Sequence, residues 1–264
     1  MPAKRAVRKK RSRPRRLEVA AAAGALPTHV PKRWVKFVVG LFLLPPAWVL
    51  TQTFFTAFAR TTLQDAFWSS AEFWFFSLGV ILWLVAFFGL PRPLWLYVFG
   101  HELTHAIWVL LMGGRVHHFE VSRQGGHILA DRTNTWIALA PYFFPIYSVL
   151  AILIYGLCGL FFDVGPYRYL LYAVIGVTWA FHLTFTVWMI TKGQPDLHYG
   201  GTFFSIMVIY LLNLTLLAVM LILASPQVTW RGFGRELLQN AIDFTAWLTL
   251  TFNDLVRNQL PRHF

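Results

Sequence analysis

The chain has 264 residues, 57% of them hydrophobic and 13% charged. A soluble domain carries roughly 25% charged residues, so this composition excludes an ordinary soluble enzyme. With its long apolar runs it points to an all-α polytopic membrane protein. The net charge of +12 is unevenly placed, with twelve of the 23 Lys and Arg in the first 36 residues, and a lone Cys158 excludes a disulfide framework.

Residues 1–33 read as a basic, disordered cytoplasmic tail built around "KRAVRKKRSRPRR". Such a block suits an anionic lipid surface. A nucleic-acid tail is the weaker reading, and no nucleic acid is expected, because a membrane span follows directly. The positive-inside rule puts the N-terminus in the cytoplasm. The next stretch, "LEVAAAAGALP", is too short and alanine-rich for a cleaved secretory signal.

A window of ~20 apolar residues reads about six transmembrane helices, at roughly 34–59, 70–90, 93–112, 136–162, 169–190 and 203–224. Pro45-Pro46 predicts a kink or break in the first. Pro141 and Pro145 predict a kink in the fourth. Between the third and fourth, Val116–Ser122 and His127–Asp131 alternate around Gln124-Gly125-Gly126, a β-hairpin pattern. Val116, His118 and Glu120 on its first strand are candidates for docking an extended substrate peptide; an ordinary loop hairpin is the plain alternative. The polar group His117, His118, Glu120 and His127 reads as interfacial rather than ligating, since solvated histidines need no partner. The multi-span domain is thus expected over 34–225. Residues 226–264 read as an amphipathic segment lying at the membrane interface.

The third span carries "GHELTHA", with His101, Glu102 and His105 inside an apolar run. A charged group at mid-membrane costs about 2.5–3.5 kcal/mol even on the lenient insertion scale, so such residues are functional candidates. Histidines at i and i+4 project from one helix face and can converge on one cation. Glu102 lies about 100° round the helix from His101. In an HExxH arrangement that sets its carboxylate beside the water a metal would activate, as general base rather than ligand. Two histidines and a carboxylate suit Zn2+. A third protein ligand is required. Asp196 in "GQPDLHYGG" is one candidate, carried inward where Gly and Pro interrupt the helices. His182 in the fifth span is the other; it could instead position a ligand or substrate. Gln194 is a candidate donor to a developing oxyanion.

"GHELTHA" in a hydrophobic span, then "GGRV" and a hairpin, then a Pro-containing span, then "GQPDL" before another span, together resemble the site-2 protease family of intramembrane zinc metalloproteases. The resemblance covers roughly residues 93–215 and is to a compact form without an inserted peptide-binding domain. It implies His101, His105 and Asp196 as zinc ligands and Glu102 as general base. It also implies a hairpin on the cytoplasmic side, whereas counting two spans from a cytoplasmic N-terminus puts the hairpin outside. Two features depart from the family pattern: Leu197, not Gly, follows Asp196, and Gln194 stands where an Asn is usual.

The expected function is zinc-dependent hydrolysis of peptide bonds in membrane-embedded or membrane-proximal substrates. The alternative is a metal-binding membrane protein without protease activity, a chaperone-like pseudoprotease or a transporter. A transporter should show polar residues along a whole path and often repeated halves; this sequence has one cluster.

Overall fold

Proline and glycine set the breaks in an otherwise helical chain. The computed structural model describes residues 32–63, 68–122, 125–225 and 227–259. The basic block at 4–16 therefore lies outside the described residues. Helices α1 (Lys32–Phe42) and α2 (Leu44–Leu63) form one apolar stretch interrupted at Leu43. Pro45 and Pro46 lack N–H groups, so the carbonyls of Leu41 and Phe42 lose their helical donors. The break expected near these prolines is present, two residues ahead of Pro45.

Helix α3 (Ala71–Gly89) starts at Ser70, whose Oγ accepts from Phe73 N at 3.3 Å. It ends where Pro91 and Pro93 forbid further turns, and α4 (Leu94–Leu111) follows. A hairpin comes next, β1 (Val116–Ser122) against β2 (Gly125–Ala130), with one extra residue, His117, bulged out of β1. The second strand starts two residues earlier than its alternation suggests.

The fourth apolar run is not one straight helix. It is α5 (Thr135–Phe143) and α6 (Ile146–Cys158), bent by 74° at Phe144-Pro145. Ile146 N turns to Phe144 O at 2.8 Å, leaving the Tyr142 carbonyl without its helical partner. Asn213 Nδ2 donates to that carbonyl at 2.9 Å, which satisfies the buried group across to another helix. That helix is α9 (Thr202–Ala224), which follows α7 (Arg168–Ile190) and the short α8 (Pro195–Tyr199). The chain's described part closes with α10 (Trp230–Gln259).

Among the described residues, five helical stretches are long and apolar enough to cross a membrane: α1–α2, α3, α4, α7 and α9. The bent α5–α6 pair makes a sixth only if it counts as one span. Large apolar side chains stand exposed around the outside, among them Phe42, Phe88, Leu111, Leu160 and Leu223. That surface suits lipid and would be a liability in water.

Helices α3 and α7 approach closely. A Cβ on Gly79 would meet Ala173 O at 2.0 Å, and one on Gly176 would meet Phe76 O at 2.1 Å. Such small-residue contacts let membrane helices gain dispersion energy where lipid removes the hydrophobic drive. Helix α10 runs antiparallel along α2: Glu236 meets Arg60 at 2.9 Å, and Asn240 donates to Thr53 Oγ1 at 2.8 Å. Phe233 anchors it in a core with Ala57, Ala218 and Leu221.

Candidate metal centre

His101 and His105 stand one turn apart on α4, and their Nε2 atoms are 3.2 Å apart. Each ring is oriented from its other nitrogen. His105 Nδ1 lies 2.8 Å from the Ile137 carbonyl, which accepts only, so Nδ1 carries a proton and, in the neutral ring, Nε2 holds the lone pair. His101 Nδ1 lies 3.0 Å from Tyr97 Oη, one turn back on α4. These are the contacts by which proteins fix a ligating imidazole.

Asp196 arrives from α8. Gly193, at φ 72°, takes a left-handed conformation that ends the chain path of α7. Pro195 then starts a five-residue helix, and Asp196 lies in its first turn. Leu197 is almost fully buried against α5 and α9, and its carbonyl accepts from Ser205 Oγ at 2.9 Å. This anchor faces Asp196 toward the middle of α4. Its Oδ2 is 3.2 Å from His101 Nε2 and 3.6 Å from His105 Nε2, and it accepts from Tyr142 Oη at 3.0 Å. Burial pushes the Asp196 carboxyl up, but the two histidines outweigh that and hold it well below the usual carboxylate range.

The residues present fit a zinc ion. A tetrahedral ion with bonds of about 2.0–2.1 Å separates its ligand atoms by about 3.3–3.4 Å. The three separations here are 3.2, 3.2 and 3.6 Å. Two imidazole nitrogens and a carboxylate oxygen thus converge on one point, an arrangement that suits a shared cation. Three protein ligands also leave one tetrahedral position for water or substrate.

Glu102 is buried on the same helix, on the side that meets the hairpin. None of the described residues hydrogen-bonds its carboxylate. Gly126 of β2 lies against it: a Cβ there would meet Glu102 Cγ at 2.5 Å and Val98 Cγ1 at 2.9 Å.

The other residues singled out from the sequence fall elsewhere. His182 is buried on α7, outside the converging set. Together with His101, Gly100 and Tyr147 it lines a cavity of about 20 Å³, room for one water. Its Nε2 has no hydrogen-bond partner among the described residues. The Gln194 amide lies 4.0 Å from Met189 Sδ. Val116 sits at the base of the hairpin, half-buried, while His118 and Glu120 are exposed on β1. Among the described residues each hairpin strand pairs only with the other, so each has one free edge.

Three participants were not singled out from the sequence. Tyr97 carried a signal, since it precedes His101 by the same four residues that separate the two histidines. Tyr142 and the Ile137 carbonyl carried none, because the α5–α6 bend brings them to α4. Comparison of the chain with protein-family models, curated proteins and solved structures finds no match.

Proposed function

We propose that this chain is a polytopic membrane protein and an intramembrane zinc metalloprotease of the site-2 protease type. The observation that carries the reading is the convergence of His101 Nε2, His105 Nε2 and Asp196 Oδ2 at separations that suit one tetrahedral ion. A bound zinc would polarise a scissile carbonyl and acidify a water.

The chain's own groups supply the rest. His101 and His105, oriented by Tyr97 and Ile137, and Asp196, oriented by Tyr142, would hold the ion. Glu102 takes the proton from the attacking water and returns it to the leaving amine. The glutamate is suited to this because no described side chain competes for its carboxylate. A substrate segment must be extended to expose its amide, and a free hairpin edge can hold such a segment by backbone hydrogen bonds.

In this reading α5–α6 is a sixth, broken span, and residues 1–33 lie in the cytoplasm against anionic lipid. Lys36 Nζ lies 3.5 Å from Thr135 Oγ1 and 3.4 Å from Tyr199 O, so the start of α1 adjoins the hairpin's exit and α8. This supports a hairpin on the same side as the N-terminus, with α4 not acting as a simple through-crossing.

The test is cleavage of a quenched-fluorescent transmembrane peptide by purified protein in detergent. Cleavage should stop on chelation and return with Zn2+. Stoichiometric zinc binding with no cleavage of any transmembrane peptide in a panel would favour the metal-binding protein without protease activity.

A further inference from the structure

We propose that the hairpin carries a second metal site, separate from the buried centre, in which His118, Glu120 and His127 hold a divalent first-row transition ion. Their ligand atoms all lie within 4.8 Å of one another. Glu120 Oε2 is 3.4 Å from His118 Nε2 and 3.7 Å from His127 Nε2, and the two imidazole rings are 5.5 Å apart.

The strand register builds this set. Glu120 pairs directly with His127, and His118 is two residues before Glu120 on the same strand, so all three share one face. The opposite face carries Phe119, Val121, Gly126 and Ile128. Phe119 meets Phe99 of α4 at 6.2 Å, and Gly126 lies on Glu102. The inner face is thus committed to α4, and the three ligating groups point away from it, with room for water to complete a coordination shell.

The donor chemistry selects the ion. Two imidazoles and one carboxylate suit zinc, copper, nickel or cobalt and not calcium or magnesium, which take all-oxygen sets. The groups are partly solvated, with side chains 52%, 57% and 36% exposed, so this site binds less tightly than the buried one. Its ligands come from both strands. An ion there ties β1 to β2 across the turn and steadies Gly126, the residue against Glu102. The outer face of the hairpin thereby stiffens its inner face.

The test is a Zn2+ titration of the stripped full-length protein against a chromophoric zinc chelator. The wild type should take up one tight and one weaker equivalent. H118A/H127A should lose the weaker and keep the tight one, and E120Q should weaken it about tenfold or more. H101A/H105A should lose the tight and keep the weaker, so failure at either site reads separately. Identical binding curves for wild type and H118A/H127A would overturn the proposal. If the double variant does not purify as a monodisperse species, E120Q decides alone: an unchanged weaker equivalent, or none in the wild type, overturns it.

Discussion

Gly126 of the hairpin lies so close to Glu102 that a Cβ at this glycine would meet Glu102 Cγ at 2.5 Å. The strand and the glutamate therefore share one space, and the hairpin sets where the carboxylate can go. Gly126→Val should push Glu102 aside while leaving the three converging ligand atoms alone. The expected outcome is a loss of cleavage of about 10²-fold with zinc content unchanged, since general-base catalysis contributes roughly 10²–10⁴-fold. Elemental analysis beside the peptide assay checks it. Equal loss of zinc and activity would mean that the glycine serves the fold alone.

Asp196, not His182, should complete the buried site. Asp196→Ala should abolish tight zinc binding, and His182→Ala should leave it near the wild-type value. Tyr142→Phe removes the 3.0 Å hydrogen bond to Asp196 Oδ2 and should weaken zinc by about 10–100-fold. All three are read by chelator competition. Tight binding that survives Asp196→Ala and disappears in His182→Ala would reverse the assignment.

Zinc affinity should fall with acidity through the histidines rather than the aspartate. Both imidazoles must give up a proton before they can bind the ion. Asp196 is held below the usual carboxylate range, so it remains ionised as the pH drops from 7 toward 4. The sign follows: a depressed carboxyl contributes above its unfolded value of about 3.9 and is lost only as pH falls through its lower folded value. The logarithm of affinity should thus decline as the pH falls, with a slope of up to two protons, one for each imidazole. Asp196→Asn should lower the whole curve without changing that slope. A slope that flattens in Asp196→Asn would place the proton on the aspartate instead.

Much of the scaffold is legible in the sequence, because its signals are local. Apolar runs near 20 residues mark the helices, Pro45-Pro46 marks the break between α1 and α2, and the alternation around Gly125-Gly126 marks the hairpin. The His101, Glu102, His105 spacing is legible for the same reason, since four residues of one helix fix their faces. What was not legible depends on distance along the chain. The 74° bend at Phe144-Pro145 decides that Tyr142 and Ile137 reach α4, and proline alone predicts a kink but not its angle. The choice between Asp196 and His182 required knowing that Leu197 anchors α8 against α5 and α9. The pairing of Glu120 with His127 required the strand register, in which His117 is bulged out.

The most direct test of zinc-dependent proteolysis is cleavage by Glu102→Gln protein that has first been shown to retain zinc at the tight site. The substitution keeps shape and removes the base, so wild-type zinc affinity is expected with cleavage reduced by at least about 10²-fold. Wild-type cleavage by the zinc-loaded Glu102→Gln protein would contradict it.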